Sequence, residues 1–381
     1  SPLRDVYKRQ VLENTHTYRE IKQQPQTLKE TYDIVQSKKD AFNQFMKNIV
    51  QQQSDKKLKV LFTGAGSSAY VGDIARIACR TGQFQQFDFE SVPTTHFVTD
   101  PQAYIDDQTA YLVVSFARSG NSPETKATVE IANQCSDHLY HLFVTNNKDG
   151  FLGAYDESAN NVFKVVLPEK TNDQSLAMTS SFSSMVFASY LLFGGEVSPE
   201  FFDIAASNFD WLEEQAEAVS QLDFSKVFYV GTGLIGELTK ETSLKLNELT
   251  AGQTEIARET TLGFRHGPKA GLSADSIFIM LRSNDAYRRQ YEDDLIREVS
   301  EVEGRYQIFI LDGQSEANTE TAQLPQSEKL SDMELALQYL IFGQLLAAKR
   351  SVAMGLNPDN PSPDGFINRV VKGVTIYPFK G

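Results

Sequence analysis

The chain has 381 residues, enough for two domains of ordinary size. Hydrophobic residues make up 41%, and 23 Gly raise the apolar share to about 47%, which excludes wholesale disorder and lets each half bury a core without disulfides or metal. The formal charge of −14 repels nucleic acid and anionic lipid, and no basic run is dense enough to reverse that locally. An anionic small substrate must therefore be held by a focused site built from backbone N–H groups, a helix N-terminus and a few hydroxyls.

The opening SPLRDVYKRQ has neither an initiator Met nor an apolar run of signal-peptide type and carries no weight in the reading. Residues 15–50 are helical in pattern, with apolar positions at Tyr32, Val35, Phe42, Phe45, Met46 and Ile49 and an expected break at Pro25. Residues 58–80 then run from a β-rich stretch through a Gly/Ser loop into a helix, and residues 109–134 repeat that order. HLYHLFVTN (138–146) and NVFKVVLP (161–168) read as further strands, followed by a Phe-rich helix at 180–194 and a helix around Trp211. Strands alternating with helices imply a parallel sheet covered on both faces. Cys79 and Cys135 sit in amphipathic helical segments as buried thiols, too few for a disulfide framework. The longest apolar stretch, near 185–197, falls short of the ~20 residues a bilayer span needs. A protein of a reducing compartment, cytoplasmic and without membrane or nucleic-acid partners, is expected.

The second half repeats the first. VLFTGAG at 60–66 is echoed by VFYVGTG at 227–233, and YHLFVTNNKDG at 140–150 by YQIFILDGQSE at 306–316. YLVVSFARS and SIFIMLRSN align between them, so three pieces recur in one order at nearly one spacing. The expected layout is an N-terminal helical segment (1–44), one α/β domain at 45–205, a second at 206–360, and an irregular tail at 361–381. The copies differ where it matters. Copy one has Ser119-Gly120-Asn121-Ser122 with Thr125 beyond, whereas copy two has Ser283-Asn284-Asp285-Ala286, whose carboxylate would repel an anion. If this loop holds phosphate, only copy one should do so.

Gly64-Ala65-Gly66-Ser67-Ser68 and Ala117-Arg118-Ser119-Gly120-Asn121-Ser122 each join a strand to a helix. Ligands of open parallel sheets sit outside the carboxyl ends of strands, where such loops converge. Small residues admit an oxyanion, hydroxyls donate to it, and the helix N-terminus favours its charge. The competing reading is a pair of ordinary N-caps and tight turns. Gly231-Thr232-Gly233-Leu234-Ile235-Gly236 is a literal GxGxxG, yet no second strand ending in an acidic residue is evident about 20 positions on. A tight turn inherited from the repeated unit explains it better than a dinucleotide site. In KETSLKLNELTAG, Glu241, Lys245 and Glu248 fall at i, i+4 and i+7 on one helix face; a solvated charge face is the ordinary reading. Arg265-His266-Gly267-Pro268 follows, one of only five His in a constrained loop, while His138 and His141 flank a strand and read as structural or exposed. A carboxylate, a lysine and a histidine together suit acid–base chemistry on a sugar.

These motifs resemble the sugar isomerase (SIS) family, in arrangement the isomerase half of glucosamine-6-phosphate synthase, over nearly the whole chain from about Tyr18. REIKQQPQTLKET resembles its entry segment, GSSAY and SGNSPET its sugar-phosphate loops, ETSLKLNE and FRHGP its catalytic helix and loop, and NRVVKGVT its closing strand. The fold implied is two tandem α/β SIS domains, each a flavodoxin-like, doubly wound parallel sheet with helices on both faces. Ser67, Ser68, Arg118, Ser119, Asn121 and Ser122 fall on phosphate-binding positions, although Arg118 stands where the synthase has Gln. Glu248 falls on the base that moves a proton between C1 and C2, Lys245 on its neighbour, Glu241 on the supporting carboxylate, and Lys372 on the tail lysine that closes over the sugar. His266 falls on the ring-opening acid/base, which in the family reaches a partner subunit's site, so a homodimer or dimer of dimers sharing His266 is implied.

The synthase's N-terminal glutaminase domain has no counterpart here, so an ammonia source within the chain is not expected and deamination is the favoured direction. The NRVV…GVTIYPF ending is similar to that of bacterial amino-sugar galactosamine-6-phosphate deaminase/isomerases and tagatose-6-phosphate ketose/aldose isomerases. The resemblance implies conversion of D-galactosamine 6-phosphate, or a close hexosamine 6-phosphate, to the ketose phosphate and ammonia, with no metal or redox cofactor. Two alternatives are an aldose–ketose isomerase without deamination and a non-catalytic sugar-phosphate sensor.

Overall fold

The structure, a computed structural model, describes residues 2–302, 304–314 and 321–381, with side chains from Val6 onward. Ser1 and the last two residues of the 306–316 echo, Ser315 and Glu316, lie outside the described residues. Three helices open the chain: α1 (Pro2–Glu13), α2 (His16–Lys22) and α3 (Gln24–Gln52). Pro25 falls in the first turn of α3, where a missing N–H is harmless, so the break comes at Gln23 instead. Next come β1 (Lys57–Thr63), α4 (Ser67–Ala78), β2 (Asp88–Ser91), α5 (Thr94–Phe97), β3 (Thr109–Ala117), α6 (Pro123–Cys135), β4 (Leu139–Thr145), β5 (Val162–Val166) and α7 (Ser180–Leu192). The second half holds α8 (Phe201–Ser220), β6 (Lys226–Gly231), α9 (Gly233–Leu249), β7 (Glu255–Thr260), β8 (Ser276–Leu281), α10 (Ala286–Ser300), β9 (Gln307–Asp312), β10 (Ala322–Gln323) and α11 (Asp332–Ala353).

Two compact units interleave in sequence. One comprises Thr27–Asp173, Ser180–Glu196 and Ile367–Gly381; the other comprises Ser1–Gln26, Gln174–Thr179 and Val197–Phe366. The first carries a parallel sheet of order β2-β1-β3-β4-β5, the second one of order β7-β6-β8-β9-β10. The repeated sequence thus folds twice into one topology, the doubly wound order with a reversal between its first and third strands. NRVVKGVT, expected as a closing strand, is instead irregular, and nothing after Ala353 is helix or strand.

Each sheet is covered on both faces because parallel pairing buries both. All nine residues of β3 are buried, and Leu61 of β1 with Tyr111 and Val113 of β3 packs under Phe97, Ala127, Ile131 and Ala132 from α5 and α6. On the opposite face Phe62 lies 5.7 Å from Phe193, which meets Phe42 of α3 at 5.6 Å. In the second unit Phe228, Val230, Phe278 and Met280 pack on Leu295, Ile296 and Val299 of α10, while Phe309 stacks at 5.0 Å on Phe342 of α11 on the other face. Cys79 is buried at the end of α4 and its thiol is pushed up by burial; Cys135 is half-buried, and both are free. Among the described residues no helix is long and apolar enough to cross a membrane.

His141 is a buried structural residue of β4, its Nε2 2.8 Å from Asn133 Oδ1, and burial pushes it down to about 4. Below its ordinary value of about 6.5 the unfolded chain gains a proton that the folded chain refuses until about 4. Stability from the neutral imidazole is therefore intact above the ordinary value and falls with pH through that window. We expect the thermal midpoint to drop between about pH 6.5 and 5, and His141→Gln to flatten the drop. An unchanged slope in circular-dichroism melts of the variant would assign the effect elsewhere.

Candidate active site

At the reversal of the first sheet, the loops after β1 and β3 deliver two helix N-termini. Ser67 and Ser68 open α4 and are buried, with Gly66 before them at φ 57°. Ser122 caps α6, its Oγ 2.5 Å from Thr125 Oγ1 and accepting from Thr125 N. Ser119 is half-buried; its Oγ accepts from Asn121 N at 3.2 Å and its carbonyl from Asn147 Nδ2 at 2.9 Å. Asn121 is exposed and accepts from Phe151 N at 3.1 Å. Small residues, hydroxyls and two helix N-termini at neighbouring strand ends are groups chemically suited to an anion, and none of them is itself charged. Arg118 is turned away from a purely local role: it is buried, and its Nη2 donates to the carbonyl of Arg369 at 2.7 Å.

The corresponding reversal in the second sheet is already filled with charge. Arg282, aligned with Arg118, is wholly buried beside Glu292 (3.3 Å) and Asp312 (3.2 Å) and also meets Asp293. Arg289 grips Asp312 with two bonds of 2.7 and 2.9 Å, and Ser283 Oγ donates to Asp332 at 2.6 Å. Burial lifts Glu292 to about 7 against the opposing pull of Arg282. Asp285 caps α10 through the Arg288 N–H, taking a helix N-terminus that copy one leaves to small hydroxyls. The GxGxxG turn serves packing: a Cβ on Gly236 would lie 2.8 Å from the Gly231 carbonyl oxygen.

The helix α9 leaves that turn carrying Glu241, Lys245 and Glu248. They are not a solvated face. Lys245 and Glu241 are 1% and 0% exposed, and Lys245 Nζ lies 3.3 Å from Glu241 Oε1 and 2.6 Å from Glu248 Oε2. Glu248 keeps 24% of its side chain exposed, so a carboxylate oriented by a buried ammonium remains reachable. That arrangement suits a base that moves one proton.

His266 follows β7 in a loop between two short 3-10 turns, Gly263–Arg265 and Pro268–Gly271. Gly267 at φ 122° lets the chain turn where a side chain would be strained. His266 is exposed, and Glu298 of α10 brackets its loop, accepting from Arg265 Nε at 2.6 Å and from Lys269 Nζ. The two cations hold the Glu298 carboxyl below its usual range. Within one chain His266 and Glu248 are not brought together. α9 starts at the carboxyl edge of the sheet and carries Glu248 about 22 Å along its axis toward the amino edge, whereas His266 stays beyond the carboxyl end of β7. Lys372 is exposed in the irregular tail of the first unit.

Sequence reasoning missed Arg369 and Glu298. Arg369 lies in a tail with no periodicity, and Glu298 is one of several acidic residues on α10, so neither carried a signal. Among the described residues no group of three or more His, Cys, Asp or Glu side chains could hold a metal.

Removing the ammonium from this interior leaves Glu241 as a buried charge without its lysine. Lys245→Met should therefore destabilise by about 3–5 kcal/mol, and Glu241→Gln added to it should restore more than half. Urea denaturation of the single and double variants checks both, and equal losses would mean the carboxylate is neutral in the fold.

The SIS domain family model matches residues 54–194. The D-galactosamine-6-phosphate deaminase AgaS of Escherichia coli is 33% identical over 377 residues, covering 96% of each chain. The solved tagatose-6-phosphate ketose/aldose isomerase from Escherichia coli superposes with a TM-score of 0.86 at 30% identity, covering 97% of this chain and 98% of that one. The C-terminal domain of glucosamine-fructose-6-phosphate aminotransferase from Francisella tularensis shares the fold, with a TM-score of 0.70 at 15% identity over 91% of this chain and 98% of its own. With a third of its residues identical to a relative along almost its entire length, the chain belongs to the AgaS family of SIS-domain proteins.

Proposed function

We propose that the protein is a cytoplasmic amino-sugar phosphate deaminase/isomerase that converts D-galactosamine 6-phosphate to tagatose 6-phosphate and ammonia. The observation that carries this reading is Lys245, buried between Glu241 and a reachable Glu248, in a chain one-third identical to a deaminase of that name. Ser67, Ser68, Ser119, Asn121 and Ser122 hold the 6-phosphate, and the two helix N-termini behind them favour its charge. His266 moves a proton between the ring oxygen and the anomeric hydroxyl, which opens the pyranose to an aldehyde at C1.

Glu248 then removes the C2 proton, and the electron pair moves through C1=C2 to leave negative charge on O1. Lys372 is the cation for that charge, while Lys245 keeps Glu248 oriented; stabilisation of this type contributes on the order of 10²–10³-fold in rate per donor. O1 takes up a proton, and protonation at C1 with the nitrogen lone pair closing C2=N gives a C2 iminium; water adds at C2, and the carbinolamine expels ammonia and a proton to leave the ketone. A homodimer or dimer of dimers that donates His266 across subunits completes the set. The distance α9 puts between Glu248 and His266 of one chain supports that arrangement.

Ammonia release over a panel of hexosamine 6-phosphates tests the reading. We expect galactosamine 6-phosphate to be turned over and Glu248→Gln to lose at least 10³-fold in kcat with substrate binding largely kept. Ser119→Ala with Ser122→Ala should chiefly raise KM, by roughly a hundredfold or more, given about 1.5–3 kcal/mol for each of two charge-assisted bonds. An unaltered KM would move the phosphate elsewhere. Because the Escherichia coli structure bears the name of a ketose/aldose isomerase, tagatose 6-phosphate is assayed alongside. Isomerisation without ammonia identifies the aldose–ketose enzyme, and absence of solvent exchange at C2 identifies a sensor.

A further inference from the structure

The tail from Ile367 packs with the first sheet's unit although it has no helix or strand of its own. It is anchored near both ends. At the upstream end, the buried Arg118 donates to the Arg369 carbonyl at 2.7 Å. The Arg369 side chain donates in turn from Nε to the Asp173 carbonyl at 2.8 Å and from Nη2 to that carbonyl and to Asn172 Oδ1 at 2.8 Å. Asp173 is itself fixed, because its carboxylate accepts from Ser181 N at 2.8 Å and from the Ser180 and Ser181 hydroxyls at the start of α7. At the downstream end, Ile376 and Phe379 pack against the cluster of Leu61, Phe97, Val113 and Ile131. Between the anchors, Val371, Lys372 and Gly373 are exposed.

We propose that residues 369–379 form a strap tied at both ends to the first unit, and that Arg118 and Arg369 are positioning residues that hold Lys372 at the mouth of the serine-lined cradle. The inference rests on the role given to Lys372 above. Its geometry is independent of that role. Arg118 directly precedes Ser119 in the cradle loop, and Lys372 is three residues beyond the carbonyl Arg118 grips, at most about 11 Å of extended chain. A free tail would spread its ammonium over a far larger volume, so tethering raises its effective concentration at the phosphorylated sugar. It also explains why an arginine occupies position 118 in a loop otherwise built of small neutral residues. Its guanidinium reads the tail as well as lining the loop.

The test uses the full chain with Arg369→Ala, Arg369→Lys, Phe379→Ala and Lys372→Ala. Amide hydrogen exchange over residues 370–376 reports the strap, competition by inorganic phosphate reports the cradle, and turnover of galactosamine 6-phosphate reports the chemistry. Arg369→Ala should speed exchange in 370–376, lower kcat on the order of 10–100-fold and leave phosphate competition unchanged. Arg369→Lys should recover part of the rate, and Phe379→Ala should speed the same exchange from the other end. Unchanged exchange in both anchor variants overturns the strap. Faster exchange with unchanged kcat, in an enzyme that Lys372→Ala does impair, overturns positioning by Arg369 while leaving the function reading intact. If Lys372→Ala itself turns over normally, the role of Lys372 fails and the positioning claim with it, whatever the exchange shows.

Discussion

An ammonium group with 1% exposure cannot stay charged in a protein interior without carboxylates against it, and Lys245 has two. Helical spacing supplies them, since i−4 and i+3 lie on the same side of α9 as the lysine. The consequence reaches beyond stability. Glu241 is wholly buried and serves as the lysine's interior partner, which leaves the second attraction to hold Glu248 at the rim in one orientation. A carboxylate restrained in that way loses little freedom when it meets a substrate, yet it keeps a quarter of its surface open to one.

The two reversal points show how one topology came to hold opposite electrostatics. Both sheets have the same strand order, and both place a loop after the first and third strands where a ligand would sit. In the first, small hydroxyl residues stand in front of two helix N-termini, so fixed partial positive charge faces outward. In the second, Arg282 and Arg289 are consumed by Glu292 and Asp312, and Asp285 and Asp332 draw the remaining donors inward. Carboxylates of the chain itself face both arginines. One copy of the unit thus presents small hydroxyl residues at its reversal, and the other presents a cluster of buried, mutually paired charges.

Much of this was legible before the fold was known. The strand–loop–helix order, the two glycine-serine loops, the repeat, the one-face spacing of Glu241, Lys245 and Glu248 and the oddity of His266 were all local signals. The edge strands β2, β7 and β10 were not, because DFES, EIARET and AQ are short and polar: an edge needs apolar residues on one side at most. Arg369 and Glu298 were equally silent. Each acts through a partner more than 30 residues away in the chain, and no period or spacing marks such a contact.

By itself, the order of residues determined the class of fold and its doubling and singled out the candidate site residues, because these follow from hydrophobic periodicity, turn chemistry and helical spacing. Tertiary structure decided the rest: that the face of α9 is interior rather than solvated, that Arg118 reaches the tail, and that His266 and Glu248 of one chain stand at opposite edges of a sheet. Burial and long-range pairing set those outcomes, and both depend on which distant segments pack together rather than on which residues are neighbours in sequence.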